Sequence, residues 1–113
     1  MAAIHSKSYY LYAMILSDQD INIIKDFFAA KPVSKAYLFG SYSRREASDD
    51  SDVDLLVELD YSQHIGLSFF SMKDELEERL NKKVDLVPSD GVSKYILLFI
   101  NKDKKLIYER ENR

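Results

Sequence analysis

The sequence predicts an α/β (α+β) domain in which helices cover one face of a small mixed sheet. Three observations carry this. Apolar residues recur at steps of three and four in Ile21, Ile24, Phe27 and Phe28, and again in Ile65, Phe69, Met72, Leu76 and Leu80. Between these segments, residues 52–60 switch to strict alternation. Helical and extended patterns then alternate to the end of the chain.

Taken in order, Ser17 and Asp18 can cap a first helix over residues 18–30, which Lys31-Pro32 stops. Residues 33–39 read as a short strand ending at Gly40-Ser41. The polar stretch 42–51 has no apolar periodicity beyond one turn and reads as a surface loop or short helix. In the next strand Val53, Leu55, Val57 and Leu59 take one face, and Asp52, Asp54, Leu56 and Glu58 take the other, until Asp60 closes it. One face is core and the other partly wet. A long amphipathic helix follows from Ile65 to Leu80, with Glu75 and Arg79 paired at i,i+4 on its flank. Residues 84–87 form a strand, and Pro88-Ser89-Asp90-Gly91 is turn chemistry. Ser93 caps a last helix over 94–100, and residues 105–109 add an edge strand. The first 16 residues are the least readable: Tyr9-Tyr10-Leu11-Tyr12 suits a strand, a helix start or a tail.

The size, 113 residues and 13.1 kDa, fits a single domain (1–113). Having no cysteine excludes disulfides, thiolate nucleophiles and Cys-ligated metals, and makes the cytoplasm the default compartment. The longest mostly apolar run, residues 9–16, falls far short of the roughly 20 residues of a membrane span and lacks a signal-peptide cleavage site. A net charge of -3 and a pI near 5.3 argue against nucleic acid as a bulk partner, because non-specific affinity needs clustered Lys and Arg.

The informative stretch is Gly40-Ser41-Tyr42-Ser43-Arg44, followed by Ser51-Asp52-Val53-Asp54. Carboxylates at i and i+2 of a strand share a face, roughly 6.5–7 Å apart along the chain. They can converge on one metal, or on a pair about 3.5–4 Å apart. Without a cation the pair is costly, since each charge raises the other's pKa. Mg²⁺ fits, because it prefers hard oxygen ligands and keeps waters and phosphates in its shell. At a Gly-Ser turn the backbone can approach a phosphate closely, and hydroxyl and N–H groups can donate to it.

Gly-Ser, ten residues, then Asp-x-Asp, with Arg44 three places after the serine, resembles the minimal nucleotidyltransferases of the DNA polymerase β-like superfamily. The resemblance covers residues 18–109. It implies a small mixed sheet flanked by helices, with Asp52, Asp54 and a third carboxylate, by matching position Asp85, holding Mg²⁺ (a pair of ions) and a nucleoside triphosphate. The residue pattern agrees, because Asp85 interrupts the aliphatic run Val84, Leu86, Val87 and points to the same open face. Gly40, Ser41 and Arg44 are then the nucleotide-binding residues, with Arg44 a charge-assisted donor to the triphosphate. The chain departs from the usual Gly-Ser-x-Ala-Arg-Gly at Ser43 and Arg45, which bears on the packing of the turn and spares the ligands. His5 and His64 stand in no triad context, so Ser41 is not read as a nucleophile. Lys82-Lys83 reads as the solvated end of the long helix, Lys102 to Lys105 as a charged turn, and Phe69-Phe70 and residues 97–100 as core or partner surface.

Larger relatives add a domain for the acceptor, and 113 residues leave no room for one, so the acceptor is expected on another chain. Stand-alone proteins of this kind resemble the antitoxin of a two-component module whose partner is a HEPN-domain RNase toxin. The resemblance implies transfer of AMP from ATP to a toxin tyrosine by in-line attack on the α-phosphorus, with Asp85 the carboxylate that takes the tyrosine proton. Two other classes stay open: an antitoxin that acts by binding alone, and a nucleotidyltransferase for a small molecule. Tyr42, beside the Gly-Ser turn, is either a competing self-modification site or a packing residue.

Overall fold

The computed structural model describes residues 15–111. The first element, α1 (Asp18–Ala29), is capped by Ser17, whose hydroxyl accepts the Asp20 N–H at 3.0 Å. β1 (Val33–Phe39) follows, then the single turn α2 (Gly40–Ser43), where a loop or short helix is expected. β2 (Val53–Leu59) leads to α3 (Ser68–Leu80), β3 (Val84–Pro88), α4 (Lys94–Asp103) and β4 (Lys105–Glu109).

The strand order is β3-β2-β1-β4, with β1 antiparallel to both of its neighbours and β2 parallel to β3. The sheet is therefore mixed, as the pattern requires, and α3 is the crossover that parallel pairing needs. Ile24, Phe27 and Phe28 of α1 and Met72, Leu76 and Leu80 of α3 join Val53, Leu55 and Val57 in one core cluster. That cluster is the aliphatic face that alternation along β2 marks out. On the opposite face Leu56 is also buried, only 2% exposed, so that face is dry in the middle of the strand and wet at its carboxylate end.

Two helix boundaries differ clearly from expectation. α3 begins at Ser68 rather than Ile65, because Gly66 lies at φ +49, outside the right-handed helix, and the Ile65 carbonyl accepts the Ser68 N–H at 3.1 Å. Its other end is closed by Asn81 in the left-handed conformation, a place where Asn substitutes for Gly. α4 continues three residues past Ile100 to Asp103, and this extra turn proves to matter for the site. The alternatives for residues 9–12 and the placement of His5 lie outside the described residues, as does most of the apolar run 9–16. No helix among the described residues is long and apolar enough to cross a membrane.

Candidate active site

Strand register builds the site. In the parallel pair, Asp54 stands opposite Asp85, and in the antiparallel pair Asp54 stands opposite Phe39, the residue before Gly40. The two carboxylates therefore leave neighbouring strands on one face, with the Gly40 turn beside them. Asp52 and Asp85 are exposed, whereas Asp54 is partly buried.

Gly40 sits at φ +76, and a Cβ placed on it would lie 2.2 Å from Oδ2 of Asp54. Glycine is favoured here twice over: for the left-handed backbone, and because any side chain would have to push the Asp54 carboxyl aside. The sequence suggests a different reason, close approach of a phosphate. The structure shows that the vacated space already holds a carboxylate.

Crowding shows in the charge state. The Asp54 carboxyl is pushed up to about 6, first by burial and then by the charges of Asp85 and Asp52, with Arg44 pulling the other way and Asp103 adding a further push. Among the described residues no three acidic or histidine side chains are drawn together closely enough to form a closed ligand set. The donor chemistry nonetheless suits a hard divalent cation: Asp52, Asp54 and Asp85 supply only carboxylate oxygens, and Asp54 bears a mutual repulsion that a cation would relieve.

The rest of the turn is tied to the far end of α4. Arg44 donates from Nη1 to Oδ2 of Asp103 at 2.7 Å and from Nε to Oε2 of Glu46 at 3.1 Å. The Ser43 hydroxyl donates to the Asp103 carbonyl, and Lys105 Nζ donates to the Ser43 carbonyl at 2.7 Å. Ser43, where alanine is usual in the motif, is only 2% exposed, and its hydroxyl is satisfied by this bond. Arg45, where glycine is usual, adopts φ +60 in the left-handed region. Tyr42 is 7% exposed and part of the core cluster, and burial raises its hydroxyl pKa. It is thus a packing residue. Ser41 is partly buried, and its carbonyl accepts the Glu46 N–H at 2.8 Å.

Asp103 is the residue that sequence reasoning misses. It stands in the run Lys102 to Lys105, which reads as a charged turn, and no local pattern links it to a motif sixty residues earlier. Lys82 pairs with Asp20 at 3.6 Å rather than simply solvating a helix end. Two hollows adjoin the turn. One of about 670 Å³ is lined by Tyr42, residues 49–51 and residues 81–83, among others, and one of about 260 Å³ lies between Gly40, Arg44, Asp103 and the α4 side chains Ile96 and Phe99.

The family model described as polymerase beta, nucleotidyltransferase matches residues 16–113. The chain belongs to this nucleotidyltransferase family. Among its relatives, a Methanocaldococcus jannaschii protein provisionally named a protein adenylyltransferase is 39% identical over 87 residues, covering 76% of this chain and 83% of that protein. Two solved structures share the nucleotidyltransferase fold. One is a toxin–antitoxin with AMP-PNP, at TM-score 0.69 and 22% identity, covering 80% of this chain and 74% of that one. The other is an MNT antitoxin complex with a tri-AMPylated HEPN toxin of Shewanella oneidensis, at TM-score 0.62 and 21% identity, covering 81% and 71%.

Proposed function

We propose that this nucleotidyltransferase is a Mg²⁺-dependent antitoxin that transfers AMP from ATP to a tyrosine of a partner HEPN-domain RNase toxin, silencing it in the cytoplasm. The observation that carries the reading is the register pairing of Asp54 with Asp85 beside Gly40, with Asp52, one residue before β2, near enough for its charge to act on Asp54. The names and complexes of its relatives support the acceptor class.

In this reading Asp52, Asp54 and Asp85 hold the metal, and Gly40, Ser41 and Arg44 hold the triphosphate. Bound Mg²⁺ would offset charge on the phosphates and on the pyrophosphate leaving group. The chain's own residues do the rest. Asp54, pressed by burial and by two neighbouring carboxylates, gains most from a compensating cation. Arg44 uses two of its five N–H groups on Asp103 and Glu46, which leaves three to direct at phosphate oxygens. Asp85, exposed at the start of β3, accepts the phenolic proton as the phenolic oxygen bonds to the α-phosphorus and the bond to the bridging oxygen breaks, releasing pyrophosphate. One domain supplies the nucleotide end of the reaction, and the partner supplies the acceptor.

Incubation with labelled ATP, alone and then with the protein encoded next to this one, tests the reading. Label on the partner that vanishes when one of its tyrosines becomes phenylalanine is the expected result. A partner inhibited by stoichiometric binding without label would replace transfer with binding alone. ATP consumption on a small molecule with no protein partner would move the acceptor class.

A further inference from the structure

The hydrogen bonds around the Gly-Ser turn converge on one residue outside the motif. Asp103 takes the Arg44 guanidinium on Oδ2 at 2.7 Å, faces the Gly40 N–H from Oδ1 at a long 3.5 Å, and receives the Ser43 hydroxyl on its backbone carbonyl. Lys105, two residues on, holds the Ser43 carbonyl from the other side. The whole of α2 is thus moored to the α4–β4 junction, sixty residues away in sequence.

The Arg44–Asp103 pair differs from an ordinary surface ion pair, which contributes little because both ends move freely in water. Here the arginine side chain is 47% exposed but the aspartate only 18%, so one end is fixed. The pair also lines the hollow of about 260 Å³ that Gly40 shares. A guanidinium held at Nη1 and Nε has its plane and reach set before any ligand arrives, while Nη2 stays available.

We propose that Asp103 is a positioning residue for the nucleotide, holding Arg44 and the Gly40 turn in the arrangement that receives the triphosphate. This rests on the nucleotide-binding reading above. It assigns a working role to the last turn of α4, which no motif marks.

Calorimetric titration of ATP with Mg²⁺ into the full chain, at a temperature well below each variant's melting point, tests it. Asp103→Ala should raise the Kd for ATP roughly threefold to tenfold, because the arginine must then be ordered when the nucleotide binds. Asp103→Asn, which keeps the shape but not the charge, should follow it, and Asp103→Glu should recover part of the loss. In the double variant Asp103→Ala/Arg44→Ala the Kd should rise by clearly less than the product of the two single-variant factors, because the aspartate acts chiefly through the arginine and only secondarily through the Gly40 turn. In the transfer assay the KM for ATP should rise by more than kcat falls. An unchanged or tighter Kd in both Asp103→Ala and Asp103→Asn overturns the proposal, and so do losses that multiply in the double variant. If the unaltered chain binds no ATP, the nucleotide reading itself fails and takes this one with it.

Discussion

Asp54 and Gly40 are two halves of one packing solution, and each can be tested alone. The Asp54 carboxyl, raised from 3.8 to about 6, is held in a fold that disfavours its charge. Its contribution to stability is full below the unfolded pKa near 4 and is lost as pH rises through 6. Asp54→Asn should therefore be more stable than the parent at pH 7, by about 1–2 kcal/mol after allowance for solvent screening, with the difference vanishing below about pH 4. Thermal melts across pH check it. Transfer should be abolished in the same variant, and in Asp52→Asn. Gly40→Ala should lose both, because its new methyl would need the space of Asp54 Oδ2 on a left-handed backbone; a folded, active Gly40→Ala protein would refute this geometry. The glycine is conspicuous in the sequence, but its steric reason is not, since the conflict is with a residue fourteen places on that only strand pairing brings near.

Alternation along β2 places Asp54 and Glu58 on one face, and the parallel register sets Asp85 beside Asp54, as its aliphatic setting suggests. Elements with a clean period are legible because side-chain direction follows from backbone geometry alone. Position along the strand then separates the roles. Glu58 lies about 13 Å beyond Asp54 and pairs in register with Lys35 of β1, so it is too far to share an ion. Asp85→Ala should cost transfer nearly as much as the Asp54 variant, whereas Glu58→Ala should change the rate by less than about threefold, measured as initial rates at saturating ATP. The ends of elements are less legible. Gly66 is the one local sign that Ile65 lies outside the helix it precedes, and the apolar spacing overrides it; the added turn of α4 appears only where Asp103 finds Arg44 and Ser43 as partners. Two residues past the single turn α2, Arg45 sits at φ +60, where a side chain is strained. Arg45→Gly should raise stability by about 0.5–1 kcal/mol, the relief of the left-handed strain less the added freedom of the unfolded chain, read as a shift in the denaturation midpoint. An unaltered or lower midpoint would mean that the arginine makes compensating contacts.

At the scale of the whole molecule, core packing decides whether Tyr42 is open to modification. Tyr42 adjoins the candidate site in sequence, yet its ring is part of the core under the turn and its hydroxyl is less acidic for being buried. The chain incubated by itself with labelled ATP and Mg²⁺ should therefore carry no label at Tyr42, as mass spectrometry of the digested protein would show. The fold class, the mixed sheet and the strand positions of Asp54 and Asp85 could be read in advance because they follow from periodicity, whereas Asp52, read as the first residue of its strand, lies one residue before β2. The mooring of the turn could not, because it joins residues 40–44 to residues 103–105 and exists only once β4 has paired with β1. That pairing has a consequence in time. Synthesis proceeds from the N-terminus, and Asp103 is made 18 residues after Asp85, the last of the three carboxylates. At about 5–20 residues per second those 18 residues take roughly one to four seconds to make, and through that interval the nascent protein carries its acidic cluster while the arginine beside it has Glu46 but not yet Asp103 to hold it.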